Sequence, residues 1–123
     1  MGGNNWRRDA MKRQMAEESA SAARRARCVD TCIAWNERLA RRGDPDPSPL
    51  LGTALLAGFR YFQVVCPNCR TIGEVDLATL DRHPETPLYG LMPLLACKRC
   101  PGAALMPKPV ALSVATMRER AVR

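Results

Sequence analysis

Val65-Cys66-Pro67-Asn68-Cys69-Arg70 and, further on, Cys97-Lys98-Arg99-Cys100 are the two stretches that decide how this sequence reads. Each holds two cysteines separated by two residues. One tight turn can then present both sulfurs to the same ion, and two such turns complete a tetrahedral shell. Twenty-seven residues lie between Cys69 and Cys97, enough for a strand and short helices between the turns. Zinc prefers four thiolates in this arrangement, so one Zn2+ held by Cys66, Cys69, Cys97 and Cys100 is expected. A closed shell leaves no position for water or substrate, which makes the site structural. Four thiolates around one zinc leave a formal charge of about −2, and Arg70, Lys98 and Arg99 stand beside the ligands to offset it.

Three other chemistries compete for these cysteines. A redox dithiol needs its thiol pKa lowered, usually by a helix N-terminus, whereas Cys66 to Cys69 leads into a β-like stretch. Iron in a rubredoxin-like site fits the two-turn spacing, and Cys66-Pro67 resembles one such turn. Those turns usually carry glycine after the second cysteine, where this chain has Arg70 and Pro101. Disulfides need an oxidising compartment. The first residues contain no apolar leader segment and no run is long enough to span a membrane, so a cytoplasmic protein is expected.

Outward from Cys66, Arg60 to Val65 is rich in aromatic and β-branched residues and predicts a strand. Arg70 to Val75 predicts the returning strand of a hairpin. Leu50 to Gly58 predicts a short helix, with Ser48 as N-cap and Pro49 at the first helical position. Asp76 is the N-cap of a turn carrying Leu77 and Leu80. Thr86 and Pro87 are read as N-cap and first position of a second short helix bearing Leu88, Leu91 and Met92. Ala103 to Met106 and Val110 to Val114 are candidate closing strands, with Pro107 and Pro109 suited to a sheet edge. His83, the single histidine, precedes Pro84 and is read as a loop residue.

Residues 1 to 42 read differently. Ala, Glu, Arg, Met and Gln dominate, all good helix formers. The coherent part is Ala20 to Arg41, where Cys28, Cys32, Trp35 and Leu39 fall on one helical face. Residues 1 to 19 lack such a stripe and are read as disordered, or helical only with a partner. Gly43 stands at the expected C-cap, and Gly43 to Pro49 forms a proline-rich linker. The predicted organisation is therefore α+β: an N-terminal amphipathic helix over 1–42, a linker over 43–49, a zinc-ribbon-like domain over 50–115 with short strands and one or two short helices between the knuckles, and a tail over 116–123.

The chain of 123 residues carries 19 basic and 12 acidic residues, a net charge of +7. Sixteen of the basic residues are arginine, and the balance favours anionic partners. One expectation is a nucleic-acid-binding module, with Arg60, Arg70, Lys98 and Arg99 touching phosphate. The alternative is a protein-interaction or adaptor module, with a partner or a second copy on the Cys28, Cys32, Trp35 and Leu39 stripe. That stripe has a plainer use in packing on the chain's own ribbon. No serine–histidine–acid set, glycine-rich phosphate loop or open metal site is visible, so no enzyme is expected.

The pattern Phe59-Arg-Tyr, Val65-Cys-Pro-x-Cys69-Arg, Val75-Asp-Leu-x-x-Leu-Asp-Arg82-His-Pro, Thr86-Pro-Leu and Leu95-x-Cys97-x-x-Cys100 resembles small uncharacterised zinc-ribbon-like proteins of rhizobia and related alphaproteobacteria. The resemblance spans roughly Ser48 to Cys100. It implies a bacterial cytosolic protein with a metal-bound knuckle pair, and it implies no activity.

Overall fold

In the computed structural model, residues 5–100 and 106–117 are described. The fold is α+β: a long N-terminal helix, a three-stranded antiparallel sheet and short helical turns. Helix α1 spans Asn5–Ala40, 36 residues and about 54 Å at 1.5 Å per residue. It begins well before Ala20, where the predicted helix starts. The earlier stretch is rich in strong helix formers such as Ala, Met, Lys, Arg, Gln and Glu, which favour helix there although no stripe packs it on the body. Side chains from Trp6 to Arg27 are all exposed, so this part of α1 projects clear of the described body.

Contact with the body begins at Cys28. Cys32 and Trp35 are 0% and 1% exposed, and Cys28 and Leu39 are half-buried. Trp35 lies against Phe62 of the sheet, ring centroids 5.7 Å apart and tilted by 51°. Its indole N–H donates to the Pro45 carbonyl at 2.9 Å, so the proline-rich segment is fastened to the helix it follows. Trp6, at the far end of α1, is 63% exposed.

The end of α1 departs from expectation in an instructive way. The Arg42 N–H donates to Leu39 O at 3.0 Å and the Gly43 N–H to Arg38 O at 2.8 Å. This is a Schellman closure, but the left-handed residue is Arg42, with φ of 58°. Gly43 is needed for a different reason. A Cβ there would lie 2.8 Å from Arg38 Cγ and 3.1 Å from Arg38 O.

Helix α2 (Leu51–Leu56) ends as predicted at Gly58, whose φ is +89°. Its start differs. The N-cap is Leu50, without a side-chain cap, while the Ser48 hydroxyl accepts from the Tyr89 N–H at 2.9 Å. Leu50 and Pro87 form an isolated bridge instead, with Leu51 N–H to Thr86 O and Leu88 N–H to Pro49 O. Pro87 is accordingly the N-cap, one place later than predicted, of a 3₁₀ helix over Leu88–Leu94. Asp76 does cap the 3₁₀ turn Leu77–Thr79, accepting from the Ala78 N–H at 3.1 Å.

Strands β1 (Tyr61–Val65) and β2 (Ile72–Asp76) form the hairpin, with Val65 opposite Ile72. The return begins two residues later than predicted, because Arg70 and Thr71 belong to the cysteine turn. Strand β3 (Lys108–Ser113) pairs with β1 on the other side, giving the order β2-β1-β3. It starts ahead of the predicted Val110. The register shifts between Gln63 and Val64, whose partners are Ala111 and Pro109. A bulge on an edge strand is where a proline is tolerated. The other candidate closing strand, from Ala103, and most of the tail lie outside the described residues.

Edges of β3 are managed by α1. The Asn36 side chain donates to Leu112 O at 3.0 Å and accepts from the Leu112 N–H at 2.7 Å. A single amide thus imitates a neighbouring strand. Beneath it lies the core: Trp35, Phe62, Leu77, Leu88, Leu91 and Met92 are the largest fully buried side chains apart from Cys32. Each such side chain contributes about 1.5–3 kcal/mol on burial.

Candidate metal centre

The hairpin positions the first cysteine pair. Cys66 leaves β1 directly, its N–H donating to Thr71 O at 3.0 Å, and the Arg70 N–H returns to Cys66 O at 2.8 Å. Closing that loop puts Arg70 in the left-handed region, φ 59°, at the place where such turns usually carry glycine. The second pair closes similarly, with the Cys100 N–H to Cys97 O at 3.3 Å. It follows the 3₁₀ helix that packs Leu91 and Met92 into the core.

These two turns meet. The four sulfurs of Cys66, Cys69, Cys97 and Cys100 all lie within 4.8 Å of one another. Cys69 Sγ and Cys97 Sγ are 3.6 Å apart, close to the edge of about 3.8 Å that a tetrahedron with metal–sulfur bonds of about 2.3 Å requires. The distance is far beyond a disulfide bond of about 2 Å, and all six cysteines are free thiols. Donor type, number and spacing therefore fit a single metal ion held by these four residues.

The sulfurs differ in surroundings. Cys66 is buried, Cys97 and Cys100 half-buried, Cys69 exposed. The Thr71 hydroxyl lies 3.2 Å from Cys69 Sγ; hydrogen bonds from Thr71's hydroxyl and backbone N–H draw the Cys69 thiol down to about 6. Cys100 receives the Asn68 amide at 3.1 Å. That bond favours its thiolate, but Cys69, desolvation, Cys66 and Cys97 outweigh it and push the thiol up to about 11. Within the cluster, Cys69 is thus held more acidic and Cys100 less acidic than an ordinary thiol, and a bound cation would favour the thiolate at both.

The basic residues divide into two groups. Arg70, Lys98 and Arg99 are exposed beside the cysteines. Arg60 stands at the other end of β1, where its guanidinium grips Asp76 through two hydrogen bonds of 2.8 and 2.7 Å. It also lies 5.4 Å over the Tyr61 ring. The Arg60 hydrogen bond holds the Asp76 carboxyl below the usual carboxylate range.

Of the Cys28, Cys32, Trp35 and Leu39 stripe, Cys32 and Trp35 belong to the chain's own core, Leu39 packs against it and Cys28 is half-buried. Burial, reinforced by Cys28, pushes the Cys32 thiol up to about 11, which keeps it an inert hydrophobic group at neutral pH. His83 is exposed, and its Nδ1 accepts from the Glu85 N–H at 3.1 Å, a loop contact.

Three residues that matter here were not singled out by spacing. Thr71 and Asn68 touch the sulfurs, and Asn36 seals β3. A hydroxyl two places after the second cysteine and an amide inside the CxxC are visible in the sequence, but their aim depends on the turn.

Among the described residues, no helix is long and apolar enough to cross a membrane. The chain matches no protein-family model, no curated protein and no solved structure, so its function is read from its own geometry.

Proposed function

We propose that this chain is a zinc-stabilised, cytosolic nucleic-acid-binding module without catalytic activity of its own. Four thiolates are a soft, tetrahedral donor set that suits zinc. With its shell closed by protein, the ion serves to pin the two cysteine turns together. Native mass spectrometry of the protein as purified should find one zinc per chain; one iron, or metal-free disulfides, would overturn the assignment.

The nucleic-acid reading rests on one observation: the positive charge is not neutralised within the chain. Among the described residues the only ion pair is Arg60–Asp76, while Arg70, Lys98 and Arg99 stand exposed at the knuckles. Seven more basic residues (Arg7, Arg8, Lys12, Arg13, Arg24, Arg25 and Arg27) line the exposed part of α1. Arginine suits phosphate through its planar fork of donors, and each phosphate contact adds about 0.9 to the slope of log K against log salt. Binding to random-sequence duplex DNA and to single-stranded RNA, followed by mobility shift across a salt series, is the test. Binding that falls steeply with salt is expected. The triple change R70S/K98S/R99S should weaken affinity for every sequence alike and flatten the slope by about two to three. Absence of any shift at low salt would sink the reading.

A further inference from the structure

We propose that α1 is a self-association element: two copies of the chain pair through the projecting helices, antiparallel, about a two-fold axis at Ala22. The apolar stripe that binds α1 to its own sheet is not the only one it carries. A second lies roughly a third of a turn away around the helix, at about 100° per residue. Met11, Met15, Ala22, Ala26, Val29 and Ile33 lie on it, with Glu18 between Met15 and Ala22. Met11, Met15 and Ile33 are 62%, 65% and 44% exposed, and Val29 is half-buried.

The spacing of this stripe is regular. Met11, Ala22 and Ile33 are eleven residues apart, as are Met15 and Ala26, and Glu18 and Val29. An eleven-residue repeat is about 3.67 residues per turn, so the stripe stays on one face of a nearly straight helix. It is also self-complementary when a second copy runs the other way. With Ala22 facing Ala22, Met11 meets Ile33 of the second copy, Met15 meets Val29, and Glu18 meets Ala26. The small residues fall at the centre, where two backbones must come closest.

Charge supports the same register independently. In an antiparallel pair, residues on one flank of the seam face the same flank of the partner. On one flank Glu18 then lies beside Arg25 of the second copy. On the other, Lys12 lies beside Asp30 and Arg8 beside Glu37. The two-fold axis repeats each contact. All six side chains are exposed, and none is in an ion pair within the chain among the described residues. A parallel pair would instead set Glu18 against Glu18.

The helix itself needs such cover. A single helix segment without tertiary contact is marginal in water. Arg7 and Arg8 near its start, with no acid in the first turn, oppose its dipole.

Sedimentation equilibrium of the full chain as purified, without nucleic acid, tests the proposal separately from the nucleic-acid reading. A species of twice the 13.6 kDa chain mass is expected at high concentration, dissociating as salt rises. Ala22→Glu, which sets two carboxylates against each other, should give monomer with unchanged metal content. Glu18→Arg and Arg25→Glu should each weaken the dimer at least about tenfold, and the double variant should restore it. Residues 18 and 25 are about 10 Å apart along one helix, so that rescue can only come from the second copy. A chain that stays monomeric, or a dimer indifferent to Ala22→Glu, or single variants not rescued by the double, would overturn it.

Discussion

Both non-glycine residues with positive φ among the described residues are arginines, Arg42 and Arg70, and each sits where a glycine would be unstrained. The left-handed conformation costs an ordinary side chain about 1–2 kcal/mol. At Arg42 nothing visible repays that cost. Arg42→Gly should therefore stabilise the fold by about 1 kcal/mol and raise the melting temperature by about 3–5 °C, read by thermal denaturation. Gly43→Ala should do the opposite, because its Cβ would run into Arg38. Sequence spacing located this helix end to within one residue. It assigned the wrong residue to the left-handed position, since a glycine at the terminus was the stronger local signal. Asn36 shows the same limit. Nothing in the sequence says that its amide will meet Leu112, 76 positions away. Asn36→Ala removes two partly buried hydrogen bonds and should cost about 1–3 kcal/mol, measured by urea denaturation.

At the level of elements, the cysteine turns were legible because their chemistry is local. Two residues between cysteines suffice to form each turn, and the strand pattern before Cys66 fixes the hairpin that carries it. The short helices were placed correctly but started incorrectly. Ser48 and Thr86 are good capping residues by type, yet the Thr86 carbonyl pairs with Leu51 beside the Leu50–Pro87 bridge and the Ser48 hydroxyl accepts from the Tyr89 N–H. Metal binding should depend on pH in a defined direction. The ligands would be thiolates, and the neighbouring Cys69 sulfur, with desolvation, favours the protonated form of Cys100, so the ion must displace protons. Affinity should then rise with pH through the neutral range, by about tenfold per unit for each proton released. A zinc-chelator competition at several pH values would show it; a flat profile would mean that these sulfurs are not the ligands.

For the whole molecule, a small ribbon core alone would let metal removal unfold everything. The core is larger than that, because α1 contributes Cys32 and Trp35 to it. Chelation should accordingly release the knuckle end first. Hydrogen exchange of the Cys66 and Arg70 amides should accelerate, while amides of α1 near Trp35 keep their protection. Equal loss at both places would show that the ion supports the entire fold. The α+β architecture and the clustering of the four cysteines were readable in advance; the reach of α1 to Asn5 was not. Its second stripe follows an eleven-residue period and is mostly exposed, so the one stripe that faces the sheet does not reveal it.

The chain's two tryptophans occupy opposite extremes of this architecture. Trp35 is sealed against Phe62, and Trp6 stands in water near the start of α1. They form a built-in pair of optical reporters, one emitting from an apolar environment and quencher-resistant, the other red-shifted and open to iodide. Removing either ring by substitution isolates the other's signal. Events at the free end of the helix and events in the core can then be followed separately, without an added dye.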